Sequence, residues 1–307
     1  MDKRIAFLFP GQGSQYAGMF EPVQHYQIAK ELITQFEDRL HYRFDSLNEN
    51  ELQQTQITQP ALYTMSAIYT SLLKEEGITP HFVAGHSLGE FSALYAAGFF
   101  SFVDGLSIVT LRGKLMQEVA NQSTGKMAAI IGLPRNTIVE ICAECSQYGI
   151  VSAVNFNSPM QTVISGQTEA LQKACDLAKA SKARLVVPLA VSAAFHSRLM
   201  TPLREPFGKA LQSLILHDTA IPIIQNVDAL PHQQHQIIAE NLISQLHQPV
   251  LWQDSIDTLI SLGVNYFVEA GPKKVLAGLM KLLPFQIVIS EEWVKAKGTT
   301  NDHRTTS

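Results

Sequence analysis

The chain has 307 residues, 46% of them hydrophobic and 16% charged, with 23 Lys and Arg against 27 Asp and Glu. This length fits one large domain or two with a core that needs no covalent staples, and the apolar content excludes disorder for the bulk of the chain. A net charge of −4 and a pI near 6.2 exclude a general nucleic-acid binder, which requires a basic surface.

Three cysteines, Cys142, Cys145 and Cys175, cannot build a disulfide framework and point to a reducing compartment. The few apolar residues before Pro10 do not read as a secretory leader. The longest apolar stretch, residues 93–100, is interrupted by Gly98 and is too short to span a membrane. A cytoplasmic protein that binds a small molecule, without membrane or nucleic acid, is expected.

In chain order, residues 5–9 form an apolar run closed by Pro10 and Gly11, as in a buried strand of a parallel sheet. Helical spacing follows over residues 20–45, and again over 58–73 with Pro60 near the start and Gly77 beyond the end. Residues 82–84 read as a strand running into Gly85-His86-Ser87-Leu88-Gly89 and an apolar helix over 90–97. Strand–helix alternation of this kind indicates an α/β layered sheet. Residues 126–132, 151–154, 161–165 and 184–189 are strand-like and interleave with helical stretches at 137–148 and 169–182. This β-α-β-β-α-β order is the ferredoxin-like pattern. Residues 1–124 and 193–297 are therefore expected to form an α/β-hydrolase-like core, with 125–192 an inserted small subdomain. Beyond it, helices are predicted over 200–216, 237–247 and 254–262 and strands over 221–226 and 266–270. The polar tail 298–307 is expected to be disordered.

Gly85-His86-Ser87-Leu88-Gly89 matches the G-x-S-x-G nucleophile elbow in the context that pattern requires, a strand before and a helix after. The serine sits on a sharp, strained turn where flanking side chains would clash. The N-terminus of the following helix points free N–H groups toward it, which makes the Leu88 amide an oxyanion donor. A serine nucleophile needs a base. His86 is badly placed on the tight turn. Six of the ten histidines lie in polar surroundings. His196, after the small residues Ser192-Ala193-Ala194 and Phe195, is either the base or a satisfied core histidine. Asp218, Asp228, Asp254, Asp257 and Glu269 all lie downstream, and spacing selects none of them as a third triad member. Either a backbone carbonyl orients the histidine or the site is a dyad.

Gly11-Gln12-Gly13-Ser14-Gln15 fails the dinucleotide and P-loop templates. It is either a second oxyanion wall or an ordinary glycine turn. Arg112, within the apolar helical stretch Ile108 to Met116, calls for a buried anion, from the protein or from a substrate. The Cys142-Ala143-Glu144-Cys145 spacing lacks a second ligand pair and reads as two buried small residues, so no metal is expected.

Phe9 to Gln15, Gly85 to Glu90, Arg112, Val154-Asn155-Phe156-Asn157-Ser158-Pro159, Phe195-His196 and Glu269-Ala270-Gly271-Pro272 occur in that order. Together they resemble the malonyl-CoA:acyl-carrier-protein transacylases, over about residues 4–285. The resemblance implies Ser87 as nucleophile and His196 as its base, oriented by the backbone carbonyl of Gln245. It implies an oxyanion hole from the backbone N–H groups of Gln12 and Leu88, Arg112 as a clamp on the malonyl carboxylate, and Asn155 near the cleft. No cofactor is implied beyond the substrate malonyl-CoA and the phosphopantetheine carried by the partner. That partner is an acyl carrier protein or a polyketide synthase carrier domain, and the enzyme is expected to be a monomer. Phe195 before the histidine is the pattern of malonyl-selective polyketide enzymes, because its ring fills the space of an α-methyl branch. The resemblance therefore leans toward the discrete, trans-acting acyltransferases of polyketide synthases. Ala194 departs from the glycine more frequent there. The alternatives are a proofreading acyl hydrolase of the same fold, which tends to lack the arginine, and a silent docking module. Lys173, Lys179, Lys182, Arg184, Lys273, Lys274 and Lys281 are either docking contacts for an acidic carrier or solvated charges.

Overall fold

The computed structural model describes residues 2–122, 125–191, 193–281 and 283–301. The larger sheet contains β1 (Ile5–Phe9), β2 (Phe82–Gly85), β7 (Ile223–Ile224), β8 (Pro231–His232), β9 (Tyr266–Glu269) and β10 (Gln286–Ile289), in the order β10-β9-β1-β2-β7-β8. All neighbours are parallel except β7 and β8. Phe7 and Phe9 belong to one buried cluster, while Ala6 and Leu8 belong to another. Side chains alternate across a strand, so a strand buried on both faces must be apolar at every position. The chain adds strands on one side of β1 first and on the other side last, so β1 lies where the order reverses. Open α/β sheets bind ligands at the carboxyl ends of strands at such a switch point. The pairs Phe9 with Gly85 and Leu8 with Glu269 align the ends of β1, β2 and β9 there.

The second sheet is antiparallel, in the order β4-β5-β3-β6, from β3 (Gly125–Ile131), β4 (Val151–Ser158), β5 (Gln161–Gln167) and β6 (Leu185–Pro188). Helices α5 (Arg135–Cys145) and α6 (Thr168–Ala180) bury Ile138, Ile141, Leu171 and Ala174 in its separate core, along with Cys142, Cys145 and Cys175. The fold is thus an α/β core with an inserted small subdomain.

Helix α2 (Thr55–Glu75) begins three residues before its predicted start and contains Pro60. It packs against α4 (Phe102–Gln122), and both surround α3 (Gly89–Ala97) with α1 (Gln27–Leu40) outside. Three expectations are corrected. The helix predicted over 200–216 divides into a 3₁₀ segment, Arg198–Leu203, and α7 (Arg204–Gln212). Pro202 has no N–H to donate there. The strand predicted over 221–226 shrinks to two residues, because Asn226 gives its backbone N–H to Glu90 Oε2 (2.9 Å) and leaves the ladder. Helices α8 (His235–Gln245), α9 (Trp252–Ser261) and the short α10 (Leu276–Leu279) follow.

The tail expected to be disordered is instead helical as far as it is described. Helix α11 (Ser290–Asn301) follows directly from β10, and residues 302–307 lie outside the described residues. The helix is held by the buried Val294 and by Glu291, whose carboxylate receives the Tyr16 hydroxyl and Lys295 Nζ. Among the described residues, no helix is long and apolar enough to cross a membrane.

Candidate active site

The elbow forms where β2 ends and α3 begins. Ser87 has φ +54°, a left-handed conformation that non-glycine residues rarely adopt and that marks functional turns. The flanking glycines are required by close approach. A Cβ on Gly85 would lie 2.0 Å from the Gly89 carbonyl, and one on Gly89 would lie 2.0 Å from the Phe9 carbonyl. The elbow and the loop after β1 therefore touch backbone to backbone, and the His86 N–H donates to the Phe9 carbonyl (2.9 Å).

Ser87 Oγ lies 2.7 Å from His196 Nε2, and His196 Nδ1 lies 2.8 Å from the Gln245 carbonyl oxygen. A carbonyl only accepts, so Nδ1 carries the proton and Nε2 is left as the acceptor for the serine hydroxyl. His196 also has positive φ, +59°. Burial, reinforced by the nearby Arg112 charge, pushes its pKa down to about 3. The imidazole is therefore neutral in the resting site. Among the described residues, no carboxylate bonds it. Asp218 bonds His235, Asp228 bonds His232, and Asp254 bonds Arg135. Glu269 accepts the N–H groups of Val275, Leu276 and Ala277, each at 2.8 Å.

Arg112 is 2% exposed. It donates from one terminal nitrogen to Gln59 Oε1 (2.8 Å), and from the other to Gln245 Oε1 (2.9 Å) and Ser87 Oγ (3.2 Å). Its Nε has no acceptor among the described residues. Burial lowers its pKa to about 10, opposed by the Glu90 charge, so it stays cationic near neutral pH.

Gln12 and Leu88 face each other across the elbow, on the loop after β1 and at the start of α3. Neither backbone N–H has an intramolecular acceptor among the described residues. The Gln12 side chain is held by Thr55 Oγ1 (3.2 Å). A cavity of about 380 Å³ lies between the two sheets, and its lining includes Gln12, Ser87, Arg112, Asn155, Phe195 and His196. Asn155 enters it from β4 at a register shift, and its buried Oδ1 has no partner among the described residues. Phe195 is 8% exposed. Gln12, Ser87, Leu88, Arg112, Asn155, Phe195 and His196 therefore meet at one site, with Gln245 just behind the histidine it contacts. Ser192, which opens the stretch leading to His196, lies outside the described residues.

Sequence reasoning missed several groups. Asn226 Oδ1 accepts the Ser87 N–H (2.7 Å), and its Nδ2 donates to the Gly85 carbonyl (2.6 Å). Gln59 fixes Arg112, and its signal was a long polar side chain on a helix otherwise buried in apolar surroundings. The Gln245 side chain works as well as its carbonyl. His86 bonds Asn157 Oδ1 (2.8 Å) and leans on Trp252, away from the serine hydroxyl. Several of the candidate docking cations are engaged within the chain. Lys179 pairs with Asp176 and Lys274 with Glu292, Lys273 Nζ donates to the Gln15 carbonyl, and Lys173 lies over Tyr148.

The profile of the acyl transferase domain family matches residues 6–281. The chain is 42% identical over 284 residues to a malonyl CoA-acyl carrier protein transacylase of Bacillus subtilis, covering 91% of this chain and 90% of that protein. It is 40% identical to the Escherichia coli K12 protein of the same name, covering 91% and 92%. A solved transacylase from Coxiella burnetii superposes with a TM-score of 0.92 at 35% identity, covering 96% of each chain. A malonyl-transacylase solved with its type II polyketide acyl-carrier protein gives 0.90 at 36%, covering 96% of this chain and all of that one. On these grounds the chain belongs to the malonyl CoA-acyl carrier protein transacylases of the acyl transferase family.

Proposed function

We propose that the chain moves a malonyl group from malonyl-CoA to the phosphopantetheine thiol of an acyl carrier protein through an ester on Ser87. The observation that carries this reading is that one oxygen, Ser87 Oγ, is shared between a neutral imidazole and a buried arginine. His196 Nε2 takes the hydroxyl proton as Oγ attacks the thioester carbonyl. The oxyanion is received by the N–H groups of Gln12 and Leu88. Collapse expels the CoA thiolate, which takes the proton from the imidazolium. The carrier thiol then gives its proton to Nε2 and attacks the ester, and Ser87 Oγ recovers the proton as it leaves. Arg112 clamps the malonyl carboxylate with a planar fork that a lysine cannot reproduce. The clamp also moves the base in the right direction. A carboxylate on Arg112 offsets the charge that helps depress His196, so substrate binding raises the basicity of the imidazole.

Phe195 occupies the space an α-branch would need. Three free, buried cysteines support a cytoplasmic setting. The carrier partner decides between polyketide and fatty acid synthesis. The test is transfer from malonyl-CoA and methylmalonyl-CoA to one holo-carrier of each pathway, followed by mass spectrometry. Malonyl loading of a carrier, with methylmalonyl disfavoured, is expected. Release of free acid from acetyl- or butyryl-carrier with no malonyl loading would identify a hydrolase instead.

A further inference from the structure

Behind the site lies a buried carboxylate that the mechanism above does not use. Glu90 is 1% exposed and sits in the first turn of α3. Its Oε1 accepts from Gln225 Nε2 (3.0 Å), and its Oε2 accepts from the Asn226 backbone N–H (2.9 Å) and from Gln245 Nε2 (3.1 Å). Each of its direct partners except Gln225 holds a reacting group. Asn226 Oδ1 accepts the Ser87 N–H. Gln245 gives its backbone carbonyl to His196 and its Oε1 to Arg112.

We infer that Glu90 is the positioning residue of this site: an acceptor-only carboxylate that fixes the orientation of the Gln245 amide and thereby sets Arg112, His196 and Ser87 together. This rests on the roles assigned above to those three residues. The two ends of the Gln245 side-chain amide differ, one an acceptor and the other a donor. Turned one way, the amide presents oxygen to the guanidinium. Turned the other way, it presents NH₂, donor against donor. Gln245 Nε2 donates both to Glu90 Oε2 and to the Ser87 carbonyl (3.0 Å), and both are pure acceptors when Glu90 is ionised. Only the orientation with oxygen toward Arg112 satisfies all of them. A glutamine or a protonated acid at position 90 brings a donor into a cluster of donors, so the preference for the working orientation weakens.

The charged and titratable groups around Glu90 are Arg112 from α4, Asp228 from the loop after β7 and, beyond Gln245, His196 and the elbow's own His86. Burial, opposed by the bonds from Gln225, Gln245 and Asn226, raises the Glu90 pKa to about 7. His196 and Arg112 lie near 3 and 10, so neither titrates in that interval.

Two readouts separate this inference from the reading it rests on. The first is the rate at which a fluorophosphonate labels Ser87 between pH 5.5 and 8.5, which needs no malonyl donor. The second is malonyl loading over the same range. In the wild type both rates rise through about pH 7. Glu90→Gln is expected to label at least tenfold more slowly at pH 8, with the limb near pH 7 abolished. Glu90→Asp, which keeps an acceptor-only carboxylate on a shorter arm, is expected to retain the limb at a reduced rate. Wild-type labelling behaviour without malonyl loading would count against the transfer reaction alone. A Glu90→Gln protein that labels at the wild-type rate, or that is slower but keeps the limb, overturns the role of Glu90. Should Glu90→Gln not fold, loss of the limb in Glu90→Asp overturns it equally.

Discussion

Arg112 is a fully buried guanidinium with no carboxylate on any of its nitrogens among the described residues. Buried charges are normally paired, because the desolvation cost of an isolated ion is several kcal/mol. Here two neutral amides hold the fork while Nε goes without an acceptor, an arrangement that suits an incoming anion. Hydrogen bonds to charged groups contribute roughly 1.5–3 kcal/mol each. Arg112→Ala should therefore cut malonyl loading by about two to four orders of magnitude while loading or hydrolysis of acetyl groups persists. Comparing the two donors checks this, and equal loss with both would make the arginine structural.

His196 and Glu90 also give opposite signatures in stability. A histidine whose pKa falls from 6.5 to about 3 on folding stabilises the native state above pH 6.5, and that contribution is lost as pH falls toward 3. A glutamate raised from 4.5 to about 7 stabilises the native state below pH 4.5, and that contribution is lost as pH rises through 7. Each slope is about 1.4 kcal/mol per pH unit, so the two cancel between about pH 4.5 and 6.5. Glu90→Gln removes one of them. Its urea unfolding free energy should fall with decreasing pH across that interval, where the wild type stays nearly flat.

At the scale of elements, the site is assembled by loops that backbone contacts lock together. Gly89→Ala would drive a methyl into the Phe9 carbonyl, and overpacking against backbone belongs at the upper end of the usual penalty, about 3 kcal/mol. Helix α11 is part of the same lock. Glu291 accepts the Tyr16 hydroxyl and the Lys273 N–H (2.5 Å), while Lys273 Nζ reaches the Gln15 carbonyl (2.7 Å). The helix thus braces the loop that carries Gln12. Glu291→Ala leaves the Tyr16 hydroxyl, the Lys273 N–H and Lys295 Nζ without their acceptor and should cost about 1–3 kcal/mol, read as a shifted urea midpoint at unchanged slope.

The strand–elbow–helix unit was legible in the sequence because its signal is local: an apolar run, two glycines and a serine at fixed spacing. The four strands and two helices of the small subdomain were legible for the same reason. Helix α11 was not, because it is polar on most positions and is held by partners far away in the chain, such as Tyr16 and Lys273. Asn226 and Glu90 were illegible as site residues for a related reason. Their roles consist of bonds across 25 or more positions, and no spacing rule encodes those.

For the whole molecule, the cavity between two separately cored units provides what neither could provide alone. The larger unit supplies Ser87, His196, the Gln12 and Leu88 backbone N–H groups and, from α4, Arg112, and the small subdomain supplies Asn155 and the Met127 and Leu189 walls. Phe195 lines the cavity at the seam between them, and in the proposed reaction its ring would limit the volume beside the acyl carbon. Phe195→Ala should raise the ratio of methylmalonyl to malonyl loading by roughly tenfold, within the 1–3 kcal/mol that one methyl group can control. Competition between the two donors measures it. In the proposed reaction a covalent malonyl ester forms on Ser87 and a carrier thiol then removes it. Intact-protein mass spectrometry after brief exposure to malonyl-CoA, followed by a chase with holo-carrier, observes both halves. A single malonyl adduct on the wild type, absent from Ser87→Ala and transferred to the carrier during the chase, is the expected result. An adduct that survives in Ser87→Ala, or a carrier loaded without any adduct forming on the enzyme, would contradict it.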